Sequence, residues 1–123
     1  MTITLVVYSN VQSNFSTPTW SMFMFNEVKL VILISTQAGR GQEQIDAFEK
    51  LAPLVRNEDG CLQYDLHRVT DDEDQFVLIE RWASKSALEA HDITAHMIAA
   101  DAFSPTFRAG PATVLHLGST IPA

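Results

Sequence analysis

Hydrophobic positions divide the chain into alternating apolar runs and helical stripes. From Val28 to Ile34 the segment VKLVILI is almost unbroken apolar and rich in β-branched residues, which predicts a strand. After the turn QAGRGQ, residues Ile45, Phe48, Leu51, Ala52 and Val55 recur at three- and four-residue spacing, the mark of an amphipathic helix. Pro53 falls inside that pattern; lacking an N–H and crowding the preceding turn, it is expected to kink the helix or begin a final short turn. NEDG ends the helix, with Gly60 suited to a left-handed cap. CLQYDLHRV and QFVLIERWA read as the strands of an antiparallel hairpin joined by TDDED, an acidic, solvated turn. Ser86 to Glu89 match a capping box, so a second helix starts there and runs, with a break near Asp92, to about Phe103. SPTFRAGP is a loop, and ATVLHL is the last strand.

The order strand, helix, strand, strand, helix, strand predicts an α+β, ferredoxin-like fold, a four-stranded antiparallel sheet with its helices on one face. A sheet with one wet face should alternate apolar and polar residues, yet VKLVILI and FVLI are apolar on both faces. No helix remains to cover the second face, so a second copy of the chain is the expected cover, giving a homodimer. The domain is expected to span 26–118, with 119–123 as a C-terminal tail. The first 26 residues carry no charged side chain, and QSNFSTPTW reads as a linker, so residues 1–25 are expected to be an extension outside the functional unit. The apolar run within MTITLVVYSN is too short to span a bilayer and follows no basic residue.

Composition narrows the partners. The formal charge of -7, with eight scattered Lys and Arg, argues against nucleic acid and against an anionic membrane surface. The single cysteine, Cys61, allows no internal disulfide and fits a reducing, cytoplasmic setting; it reads as a small buried hydrophobe. TDDED lacks the regular spacing, glycine and final Glu of a calcium loop.

Candidate chemistry gathers on the hairpin and the helix after it. A tight turn centred on 70–74 places Tyr64 across from Glu80 and Leu62 across from Trp82. Leu62, Tyr64, Leu66, Phe76, Leu78, Glu80 and Trp82 then share one face. His91 lies on one stripe with Ala87, Leu88 and Ala95. Small residues and one imidazole facing Tyr, Glu and Trp leave a cavity with few polar groups, the kind small planar ligands use. His96 lies about 140° further round the helix, so the two histidines form no metal grip, and Asp92 is its expected partner. His67 falls on the other strand face, and His116 has no recognisable partner. No metal set, Ser-His-Asp or Cys-His grouping, or phosphate loop can be argued. A structural reading stands beside the chemical one: His91 satisfied between helix and sheet, Trp82 in the core, Glu80 paired with a Lys or Arg.

Gly60-Cys61, Tyr64, Phe76, Glu80-Arg81-Trp82, Ala87-Leu88 and His91 with His96 closely resemble the antibiotic biosynthesis monooxygenase family. That family's pattern is G-C-x-x-Y, a variable turn, E-x-W, A-L-x-x-H and a second His five residues on. The likeness runs from about residue 28 to 117. It implies a dimeric α+β barrel of two ferredoxin-like sheets. It also implies an oxidoreductase, a cofactor-independent monooxygenase acting on a quinol or polycyclic phenol with molecular oxygen. His91 would be base or proton shuttle, with Tyr64 and Glu80 orienting it or the substrate. Trp82 would be the aromatic wall, and Leu62, Leu66, Leu88 and His96 would complete the substrate-binding set. Haem-degrading relatives share the Trp and the helix His as iron ligand, but they carry an Asn in the first strand. Here that strand has none, and Asn26 precedes it. Haem is therefore the alternative cofactor, and a non-catalytic, small-ligand-binding dimer is the third reading.

Overall fold

A computed structural model describes residues 26–123. The reading of residues 1–25 as an extension lies outside the described residues. The elements are β1 (Val28–Ser35), α1 (Gly41–Arg56), β2 (Cys61–Arg68), β3 (Gln75–Trp82), α2 (Lys85–Asp92), α3 (Ala95–Phe103), a 3-10 turn (Ser104–Thr106) and β4 (Thr113–Leu117). The strands form one antiparallel sheet in the order β2-β3-β1-β4, the expected ferredoxin-like topology. Helices cover one face only, and the core between them holds Ile34, Ala52, Val55, Tyr64, Phe76, Leu78 and Trp82.

Local details differ from the sequence pattern in instructive ways. Helix α1 continues through Pro53 to Arg56; the missing N–H falls near the helix end, on an exposed position. The second helix begins at Lys85, because Ser84, in an extended conformation, accepts the Ala87 N–H at 3.1 Å; Ser86 lies within the first turn and is not the cap. The break near Asp92 is a true one, with Thr94 capping α3 by accepting from the Met97 N–H. Gly60 does take a left-handed conformation (φ 81°), but Asn57 already caps α1, so the glycine serves the turn into β2.

The acidic turn is more than a solvated run. Asp74 turns back to the start of α1, accepting from the N–H groups of Gly39 and Gly41, both at 3.0 Å, and from the Thr36 hydroxyl. It therefore ties the hairpin tip to an otherwise uncapped helix N-terminus, where a carboxylate also suits the helix dipole. Those donors hold its carboxyl below the usual range, chiefly the Gly39 N–H.

The helix-free face of the sheet is apolar in its centre. Val31 pairs with Ile79 and Leu115, and Leu33 with Val77, all on that side. Leu33 is 42% exposed and Leu117 is 51% exposed, so a single chain leaves uncovered what the strand pattern suits to a core.

Candidate active site

The pairing register sorts the helix-covered face into rows. Tyr64, Glu80, Leu30 and His116 lie side by side across the four strands. The next row, Leu66, Leu78, Ile32 and Val114, is wholly apolar. Together they floor a cavity of about 420 Å³, roofed by α1 residues such as Gln44 and Phe48 and by Leu88, His91 and Met97. A volume of this size suits a small organic molecule.

The expected facing of Tyr64 and Glu80 is present, but that of Leu62 and Trp82 is not. Cys61 pairs with Trp82, and the register shifts between Cys61 and Gln63. The bulge takes Leu62 out of the row, leaving it 49% exposed and away from the cavity. Trp82 is fully buried and does not line the cavity either, which corrects its reading as an aromatic wall. Its indole N–H donates to Glu80 Oε1 at 2.8 Å, and its ring backs His91 with centroids 4.5 Å apart. Trp82 thus holds the two groups that do reach the cavity. Leu66 and Leu88 line it as expected, and His116 joins them unannounced.

His91 is 1% exposed, and its ring meets Tyr64 edge-on at 6.1 Å. Its Nδ1 lies 3.0 Å from both oxygens of Glu58, and His96 Nε2 lies 2.6 Å from Glu58 Oε2. The partner of His96 is therefore Glu58 and not Asp92, and His96 faces this carboxylate, outside the cavity lining. An ionised carboxylate only accepts hydrogen bonds, so each nitrogen facing it carries a hydrogen. In neutral His91 that leaves the Nε2 lone pair free to take a proton. Both imidazoles are thereby engaged with the carboxylate, and no metal-holding group of three His, Cys, Asp or Glu exists among the described residues.

Glu58 lies in NEDG, where the sequence pattern marks only a turn. Its reach depends on how closely that turn approaches α2. A Cβ added to Gly60 would come 2.6 Å from the Ala87 Cβ, so only glycine lets the turn press against the helix. No periodic signal in the sequence announces such a contact.

Burial shapes the remaining groups. It pushes the Tyr64 phenol well above its ordinary value, with the Glu80 charge adding to the effect, so Tyr64 remains a hydroxyl donor. Burial likewise raises the Cys61 thiol, which suits a packing role over a reactive one. Glu80 is raised mainly by burial, against the opposing help of the Trp82 N–H and His91. A carboxyl whose folded pKa lies above its unfolded one stabilises the fold at low pH and loses that contribution as pH rises through the folded value. Glu80→Gln, which keeps an acceptor for Trp82, should therefore raise the melting temperature at neutral pH. The gain should vanish in acid near the ordinary value of 4.5. A Glu80→Gln protein that melts lower than the parent at neutral pH would contradict this.

A four-stranded antiparallel sheet covered on one face by helices, with a buried histidine beside a small cavity, places the chain in the ferredoxin-like α+β class. Within it, residues 28–102 match the family model for antibiotic biosynthesis monooxygenases, and the chain belongs to that family. A Bacillus subtilis (strain 168) protein named "Putative monooxygenase YcnE" is 30% identical over 69 residues, 56% of this chain and 73% of its own. The crystal structure of PA3566 from Pseudomonas aeruginosa is 27% identical with a TM-score of 0.71, covering 78% of this chain and 96% of its own. A Caulobacter crescentus CB15 structure described as a "putative antibiotic biosynthesis monooxygenase" is 28% identical with a TM-score of 0.72, covering 82% and 96%. Family and relatives support a monooxygenase-like role. None of the described helices is long and apolar enough to cross a membrane.

Proposed function

We propose that the chain is a homodimeric, cofactor-independent monooxygenase that oxidises a quinol or polycyclic phenol with molecular oxygen. The observation that carries this reading is the Glu58–His91 contact, which fixes through Nδ1 a buried imidazole that lines a small, mostly apolar cavity. His91 takes the hydroxyl proton of the substrate, and Tyr64 and Glu80 orient the ring that remains. The phenolate passes one electron to oxygen, the phenoxyl and superoxide so formed combine at a hydrogen-bearing ring carbon, and the peroxide takes back the proton held by His91. Loss of water from the resulting hydroperoxide leaves a quinone, with one oxygen atom kept and the other released in the water. The protein contributes deprotonation, orientation and shelter from solvent.

Asn26 is exposed ahead of β1 and does not line the cavity, which weighs against the haem alternative. Oxygen uptake with a panel of quinols, beside a haemin titration followed at the Soret band, tests the choice. Uptake without a Soret shift supports the oxygenase. A stoichiometric shift without uptake would replace it by haem binding, and neither response would leave a ligand-binding domain.

The dimer rests on the apolar, helix-free face of the sheet. Leu33→Asp puts a charge at its centre without touching the cavity, since Leu33 points away from it. Burying an unpaired charge between two sheets costs several kcal/mol, roughly. The variant should sediment as a monomer, whereas an unchanged dimer would mean the copies meet elsewhere.

A further inference from the structure

Arg108 is placed differently from the other described arginines. Arg40, Arg56 and Arg81 pair with surface carboxylates, and Arg68 lies over the Phe76 ring. Arg108 lines the cavity, and no carboxylate among the described residues comes within ion-pairing distance of it. Its backbone is held on three sides: it bridges Thr36, donates its N–H to the Ser104 carbonyl at 3.0 Å, and accepts from Gln37 Nε2. The side chain is held as well, with Nε donating at 2.9 Å to Oε1 of Gln44, itself only 4% exposed. The two terminal nitrogens have no protein acceptor within hydrogen-bond distance among the described residues.

Desolvation pulls the guanidinium below its ordinary value, yet an arginine remains charged at any physiological pH. The guanidinium is partly withdrawn from water, with Asp101 attracting it only from beyond ion-pairing distance, and an anion reaching its two free nitrogens would gain a direct, charge-assisted contact. The planar fork matches a carboxylate in a two-point contact, which a spherical cation would not provide. Position along the sheet adds a second constraint. His91 packs on Trp82, which pairs with Val28 at the start of β1, while Arg108 bridges Thr36 just past its end. Between them the cavity floor runs from Leu30 to Ile34, about 13 Å at about 3.3 Å per residue.

We infer that the cavity takes an elongated aromatic acid, its carboxylate held by Arg108 and its phenolic hydroxyl at the opposite end near His91. The hydroxyl end rests on the proposed function; the carboxylate end does not. Glu80, Asp92 and Asp101 also line the cavity, and Asp101 acts on the Arg108 charge itself, so an anion is accepted only in direct contact with the guanidinium.

Anaerobic isothermal titration calorimetry separates the two ends, because it needs no turnover. The probes are 6-hydroxy-2-naphthoate, with its two groups at opposite ends, 2-naphthol, which lacks the carboxylate, and 3-hydroxy-2-naphthoate, with both groups adjacent. The native protein should bind the first about tenfold or more tightly than either of the others, as expected for a charge-assisted pair. Arg108→Gln should erase that preference, and Arg108→Lys should keep part of it. Equal binding of the three probes by the native protein would overturn the inference even if Arg108→Gln fails to fold. A preference that survives in folded Arg108→Gln would overturn it too. Oxygen uptake failing while the preference holds would count against the monooxygenase reading alone.

Discussion

Replacing His91 by alanine is expected to slow oxidation of a phenolic substrate by about a hundredfold or more, the usual loss when a positioned base is removed. The variant will also lose some stability, because a fully enclosed ring disappears and Glu58 keeps only His96 as partner. The two effects part when rates are measured well below the variant's melting temperature. Glu58→Gln sharpens the comparison. It retains the side-chain shape, but its amide NH2 faces at least one of the two ring N–H groups that the carboxylate accepts. His91 would then lose its fixed tautomer, and rate should fall with a smaller change in stability. A folded His91→Ala protein that turns over at the native rate would end the catalytic reading of this residue and return it to packing.

The largest purely structural effect is expected at Gly41. A Cβ built there would lie 1.9 Å from the Glu73 carbonyl oxygen and 3.1 Å from Asp74 Oδ1. The obstacle is backbone, which cannot swing aside as a flexible side chain would. Gly41→Ala must push the hairpin tip away from the start of α1 and break the Asp74 contacts that join them. The loss should reach or exceed the upper end of the about 1–3 kcal/mol typical of overpacking. Gly110→Ala is the matched control, with nothing near its added Cβ, and should stay within about 0.5 kcal/mol of the parent. Denaturant melts of the two variants decide it, and equal midpoints would show that the hairpin tip yields freely.

What the sequence made legible was whatever depends on period. Strand runs and helical stripes set the order of elements, and alternation along the hairpin placed Tyr64 across from Glu80. The same alternation misplaced Leu62, because one irregular residue between Cys61 and Gln63 breaks the count and no composition signal marks it. The capping-box pattern points to Ser86, whereas Ser84 two residues earlier carries the cap, a choice that only the backbone decides. Glu58, Asp74 and Arg108 escaped notice for a common reason. Each lies in a turn or loop and acts on an element 33 to 64 residues away, a distance over which no local pattern carries information. His91, by contrast, could be singled out through its stripe with Ala87, Leu88 and Ala95 and through the family resemblance, while its partner could not.

The contact between Gly60 and Ala87 constrains what variation the protein can accumulate. Position 60 is confined by its left-handed backbone and by the Ala87 Cβ, which a Cβ added at position 60 would meet at 2.6 Å. Enlarging residue 87 would force the turn outward and carry Glu58 away from His91. A lineage that drifted to a bulkier residue there would lose the Glu58–His91 contact before it lost its fold, although position 87 lies outside the cavity lining.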